Sequence, residues 1–159
     1  MPVQPTLNLY AIFNHPVFLS GLFSWLIAQL MKSVIEAIRS RNRRSKDFLV
    51  VLFWKTGGMP SSHSSLVTAL ATSIAYKEGI GSPLFILSFF YGILTIRDAL
   101  GVRRAAGSQA KVLNELGAAF SERFSVLFRP VKEIHGHTVV EVLVGILLGF
   151  FIAIAFCSL

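Results

Sequence analysis

Apolar residues run with few interruptions from Val17 to Ile38, from Pro83 to Leu100, and from Val139 to the C-terminus. Each run approaches the roughly 20 residues that a helix needs to cross a hydrocarbon core. The chain of 159 residues is 53% hydrophobic and only 14% charged, with a mean hydropathy of +0.65. Soluble domains carry roughly 25% charged residues. The expectation is an all-α integral membrane protein: a compact bundle of about four transmembrane helices plus an interfacial helix, forming one membrane-embedded domain over residues 1–159.

The charges between the apolar runs are uneven. Arg39, Arg41, Arg43, Arg44, Lys46 and Lys55 follow the first run; Arg103, Arg104, Lys111, Arg123, Arg129 and Lys132 precede the last. The turn from Gly79 to Pro83 is flanked only by Lys77 beside Glu78. In a four-span bundle the two basic connections share a side, which the positive-inside rule makes cytoplasmic, and both termini face outward. A bacterial inner or plasma membrane, or an organelle membrane, is the expected location. The net charge of +7 on so apolar a chain suits phospholipid headgroups and a lipid bilayer, not nucleic acid. Cys157 is the sole cysteine, which excludes an internal disulfide and a multi-cysteine metal site. Met1 to Pro16 contains no Lys or Arg, and the next segment lacks a small-residue cleavage site. The N-terminus therefore reads as retained, not as a secretory signal.

Within the first span, Gln29, Lys32 and Glu36 share a helix face. Such residues either line a cavity or pair locally, with Lys32 reaching toward the interface. Phe48 to Trp54 is apolar but too short to cross, and suits the interface or a shallow re-entrant path. Ala105 to Phe128 has mixed polarity and is expected to form an interfacial or docked helix after the third span ends near Leu100. Ser61, Ser65, Thr68 and Thr72 recur at helical spacing as a polar stripe. Gly145 and Gly149 permit close helix packing, either inside the bundle or in a homodimer.

The second span, ending near Tyr76, opens on Lys55-Thr56-Gly57-Gly58-Met59-Pro60-Ser61-Ser62-His63-Ser64-Ser65. Pro60 fits a helix start, and Ser61 or Ser62 can cap it. Gly58 lets the backbone come close to an anion. A helix N-terminus with free N–H donors, hydroxyls and an imidazole is suited to phosphate.

Four spans bring further groups to that end. Lys32 lies near the end of the first, Arg103 and Arg104 follow the third, and His137 opens the fourth with Glu141 at i+4. One imidazole attacks phosphorus when a carboxylate holds its other nitrogen, which suits His137 with Glu141. A second, His63, protonates the departing alkoxide. Cations and N–H donors stabilise the equatorial oxygens. This chemistry needs no metal or cofactor. Asp98 can orient one arginine, and Gln109 and Asn114 are further candidates for the same network. His135 lacks so well placed a carboxylate, and His15 falls on the outer side.

Three blocks carry a resemblance: Met59 to Ser64, Asp98 to Gly107 and Gly136 to Val142. Together they resemble the divergent branch of the type 2 phosphatidic acid phosphatase superfamily, related to acid phosphatases and vanadium-dependent haloperoxidases, from about Asn14 to the C-terminus. Pro60-Ser61-Ser62-His63 is similar to the block whose histidine is the general acid. His137 and Glu141 are similar to the nucleophilic histidine and the Asp four residues later, with Glu in place of Asp. The family's Lys…Arg-Pro block is absent, Lys32 standing as a positional substitute. Its phosphate-binding Arg lies just before the nucleophile, whereas Arg103 and Arg104 are far upstream.

The resemblance implies a metal-independent phosphatase acting through a histidine nucleophile. A site at the membrane surface favours a phosphorylated lipid such as phosphatidylglycerophosphate, phosphatidate or a polyprenyl phosphate. The alternatives are a non-catalytic scaffold that binds anionic lipid and a lipid-phosphate phosphotransferase.

Overall fold

A computed structural model of the chain describes residues 9–39, 58–133 and 136–159. The basic loop from Ser40, the run Phe48 to Trp54, Gly57 and His135 lie outside those residues. A short α1 (Leu9–Phe13) leads into α2 (Pro16–Arg39) and then α3 (Ser62–Glu78). α4 (Pro83–Arg97) continues through a π turn (Asp98–Val102) into α5 (Arg103–Phe124), and α6 (Val139–Ser158) follows.

The distribution of side chains is inverted relative to a protein in water. The largest fully buried side chains are Pro60 and the serines Ser20, Ser24, Ser61, Ser64, Ser65 and Ser73. Leu87, Phe90 and Leu94 on α4, and Leu143, Leu147 and Phe151 on α6, lie exposed. Hydrocarbon tails solvate such side chains, and small residues then let helix backbones approach one another. Among the described residues, three helical runs are long and apolar enough by length and composition to cross a membrane: Pro16–Ile38, Pro83–Phe124 and Val139–Ser158.

The expected second span is different in kind. α3 has 17 residues and rises about 25 Å, the short end of the range for a crossing helix. From Ser62 to Ala75 every residue except His63 is buried or half-buried. α2, α4 and α6 all pack against it. This serine-rich helix is the axis of the bundle, wrapped by three apolar helices.

The packing shows how. A Cβ on Gly145 would overlap the Ser61 carbonyl oxygen, and one on Gly149 would overlap that of Ser65. Glycine at both positions lets α6 lie directly on the α3 backbone, in parallel register. The two glycines thus serve a contact inside the chain, and that face is closed to a homodimer. On the other side, the Ser24 and Ser65 hydroxyls meet at 2.6 Å and Ser20 Oγ donates to Ser73 Oγ at 3.0 Å. These pairings make α2 antiparallel to α3. Of the expected polar stripe, Ser61 and Ser65 are buried, whereas Thr68 and Thr72 are half-buried and line a groove against α4. The stripe follows Ser65 and Ser73 because two steps of i+4 keep one helix face.

The expected boundary near Leu100 is replaced by a continuous helix. From Pro83 to Phe124 the run has 42 residues and rises about 63 Å, roughly twice the hydrocarbon thickness. No residue of α5 is buried. After Ser125, in a left-handed conformation at φ 52°, the chain folds back along α5. Asn114 holds this return by accepting from Val131 N–H at 2.8 Å and donating to the Val131 carbonyl at 2.9 Å.

The α3–α6 contact yields a stability prediction. Gly149→Leu forces a side chain against backbone that has no flexible end to move, so it should cost about 3 kcal/mol. Leu147→Val on the exposed face of the same helix should have little effect. Thermal unfolding of both variants in detergent micelles measures the difference.

Candidate functional site

α2 and α4 run one way through the bundle and α3 and α6 the other, so four helix ends meet at one end. Lys32 arrives from α2, His63 from the start of α3, Asp98 and Arg103 from the π turn, and His137 just before α6. Residues spread from Lys32 to His137 along the chain thus share one end of the bundle.

The His137–Glu141 pair has a local cause. Thr138 is the N-cap of α6, and Glu141 at N3 completes a capping box. The Thr138 Oγ1 accepts from Glu141 N–H at 3.4 Å, and Glu141 Oε2 accepts from Thr138 N–H at 3.0 Å. The same carboxylate oxygen lies 3.0 Å from His137 Nδ1. A capping box requires a side chain long enough to fold back to its own helix start. Glu in place of Asp supplies that reach and contacts the imidazole as well. With Nδ1–H donating to the carboxylate, Nε2 carries the lone pair. His137 is 6% exposed, so it is held rather than solvated.

Two contacts fix this loop to the rest of the bundle. His137 N–H donates to the Ala99 carbonyl at 3.1 Å, and Ser61 N–H donates to the Glu141 carbonyl at 2.9 Å. Gly136 lies so close to the Arg104 backbone that a Cβ there would overlap it. The loop bearing His137 is therefore wedged between the start of α3 and the π turn.

That π turn also separates the roles of the two arginines. Residues five apart on an α-helix are about 140° out of line, whereas i→i+5 spacing is the period of a π turn. Asp98 and Arg103 are brought together, and Arg103 Nε bonds Asp98 Oδ2 at 2.5 Å. The bond uses Nε and leaves both terminal guanidinium nitrogens for another acceptor. Arg104 instead gives its backbone to the Gly136 contact, and its side chain is exposed.

Lys32 is 5% exposed, so it stays inside the bundle rather than extending to the surface. A Cβ on Gly58 would sit 3.6 Å from Lys32 Cγ; the lysine stem runs beside the loop that enters α3. Gly58 has φ 88°, a left-handed conformation that glycine adopts without strain. Ser61 is the N-cap, its hydroxyl accepting from Ser64 N–H at 3.4 Å and from Ser64 Oγ at 2.9 Å. Its own N–H is committed to Glu141 and its side chain is fully buried. Ser61 thus builds the turn, leaving the first-turn N–H groups of Ser62 and His63 as orphan donors.

His63 lies outside the three spanning runs, and its pKa is lowered from the ordinary histidine value of 6.5. His63 is exposed at the surface of the cluster, yet the partial loss of hydration of its ring is the largest cause, followed by the positive charges of Arg103, His137 and Lys32, with Asp98 opposing. The cluster favours the neutral form of His63.

Two candidates fall outside it. Asn114 clamps the chain after α5 and donates to Glu133 Oε1 at 3.0 Å. Gln109 is exposed on α5, six residues or about 9 Å beyond Arg103. One buried group was not singled out from sequence as a site residue. Gln29 is 6% exposed and its Oε1 has no partner among the described residues. Its position on the Lys32 face was the available signal.

The sequence pattern of the Divergent PAP2 family matches residues 13–152. The chain is also 38% identical over 152 residues to a Bacillus subtilis (strain 168) protein described as uncharacterized membrane protein YuiD, covering 89% of this chain and 92% of that one. No solved structure matches.

The charge environment of His63 is directly measurable. Arg103→Gln removes the second-largest cause of the lowered pKa and should raise it toward 6.5. An NMR titration of the His63 ring in micelles reads the shift; an unchanged or lower pKa would contradict the placement of Arg103 beside it.

Proposed function

The chain belongs to the Divergent PAP2 family, and we propose that this membrane protein is a phosphatase that hydrolyses a lipid phosphate monoester through a phosphohistidine on His137. The observation that carries the reading is the contact of the buried His137 side chain, through Nδ1, with Glu141 at 3.0 Å, beside the cations and helix N–H donors of the cluster. A scaffold for anionic lipid needs the cations but has no use for an imidazole held in one tautomer.

In this mechanism Arg103, Lys32 and the N–H groups at the start of α3 take the phosphoryl oxygens. His137 Nε2 attacks phosphorus as the ester P–O bond breaks. Glu141 stabilises the positive charge that develops on the ring. His63 gives its proton to the departing alkoxide, then accepts one from the water that attacks the phosphohistidine. The products are the alcohol and inorganic phosphate, with both histidines restored.

The lowered pKa of His63 fits an acid that the substrate itself loads. A bound phosphate brings negative charge among Arg103, Lys32 and His137, which opposes the causes that keep His63 neutral. Lipid phosphates are the favoured substrates because the cluster sits at the end of an apolar bundle, where a headgroup meets the protein while its tails stay in the bilayer. The basic residues of α5 and of the stretch after it, Lys111, Arg123, Arg129 and Lys132, support a cytoplasmic site.

Purified protein with vesicles containing phosphatidate, phosphatidylglycerophosphate or polyprenyl phosphate should release inorganic phosphate, and His137→Ala should not. His63→Gln should lower kcat by about 100- to 10,000-fold. Because the free protein must hold a proton on His63, kcat/KM should fall as pH rises through a value below 6.5, and His63→Gln should flatten that limb. Vanadate, which resembles the pentavalent transition state, should inhibit. Equal vesicle binding by wild type and His137→Ala with no phosphate released from any lipid would replace the enzyme with a scaffold. A phosphorylated acceptor in place of free phosphate would make it a transferase.

A further inference from the structure

Below the His137 cluster the bundle is not closed. A groove of about 380 Å³ runs between α3, α4 and α6. Its wall is apolar apart from Thr68 and Thr72. The end nearest the cluster is formed by Val67, Ile96 and Ile146, and the far end by Ala75 and Phe85. Val67 follows His63 by one turn, about 6 Å along the helix, and Ala75 lies about 12 Å further. Ile96 precedes Asp98 by two residues and Ile146 follows Glu141 by five. The groove therefore starts where the phosphate cluster ends and descends to the depth of the hydrocarbon.

We propose that this groove binds the hydrocarbon chain of the same lipid whose phosphate the His137 cluster takes. The inference rests on the reading of that cluster as a lipid-phosphate site and adds where the rest of the molecule goes. Charge is arranged for one orientation only: Lys32 and Arg103 stand at one end, and among the described residues no charged side chain lines the slot. A lipid phosphate has the same polarity, an anion at one end and methylenes at the other.

Small side chains create the space. Gly92, on the α4 wall, is buried, and a Cβ there would meet Val67 Cγ2 at 3.8 Å, an ordinary contact. Unlike Gly145 and Gly149, Gly92 is not required for backbone approach. A larger residue would close the gap between α3 and α4, which close packing favours. Pockets for ligands fall in the range of roughly 300–1,000 Å³ and are mainly apolar with a few convergent polar groups; here those groups are at the top.

Brominated acyl chains quench tryptophan fluorescence on contact, which tests occupancy without requiring turnover. Phe89→Trp places a reporter in the groove wall, with Trp25 and Trp54 replaced by Phe. The protein is placed in phosphatidylcholine vesicles containing a minor fraction of brominated-chain phosphatidate, or the same fraction of brominated-chain phosphatidylcholine. Phosphatidate should quench several-fold more strongly. Gly92→Phe, and independently Ala71→Leu, should abolish that preference while wild-type helix content by circular dichroism is kept. Equal quenching by the two lipids would mean that the groove holds bulk lipid only, overturning the proposal. So would a preference that survives both folded variants. Selective quenching without phosphate release from phosphatidate would support the chain site while removing the hydrolase reading.

Discussion

The structure depends on one close contact, the seating of α6 on the backbone of α3. Gly145 and Gly149 remove the side chains that would hold the helices apart. Ser61 N–H can then donate to the Glu141 carbonyl, which joins the cap of one helix to the first turn of the other. His63 lies two residues after that bond and His137 four residues before it. A bilayer provides little hydrophobic drive for apolar helices to associate, so close packing and hydrogen bonds must hold them. The serine pairs between α2 and α3 act in the same way. Both devices need small residues, which explains why the interior is built of Ser, Gly and Ala while Leu and Phe face out.

With the axis so fixed, the site follows from helix ends. The capping box of α6 orients the Glu141 carboxylate, and that carboxylate orients His137. The π turn aligns Asp98 with Arg103 and offers the Ala99 carbonyl to His137 N–H. These are local structural devices that any helix start or π turn could contain. Their convergence around His63 is what the proposed mechanism uses, because the cations that lower its proton affinity are those it assigns to the phosphate.

Much of this was legible in the sequence. The apolar runs identify α2, α4 and α6, and Pro60 with Ser61 marks the start of α3. His137 and Glu141 announce themselves by i+4 spacing at a helix start. The convergence of Lys32, His63, Arg103 and His137 follows from counting crossings. What the chain hid has physical reasons. α3 reads in the sequence as one more crossing helix, whereas its place at the centre of the bundle depends on which helix faces meet. Gly101 and the charges after it resemble a helix end, but a π turn carries the helix through. Asn114 resembles a site residue by type; only the return of the chain after Phe124 shows that it clamps Val131. The Glu-for-Asp difference at position 141 becomes intelligible once the capping box is seen.

The central claim is that His137 carries phosphorus covalently during turnover. Phosphohistidine survives alkali but not acid, so an alkaline quench of wild-type protein turning over a lipid phosphate, followed by proteolysis and mass spectrometry, tests it directly. The account predicts phosphate on the peptide containing His137 and none on that peptide in His137→Ala. Phosphate release by the wild type with no phosphorylated His137, or with the phosphoryl group on another residue, would contradict it.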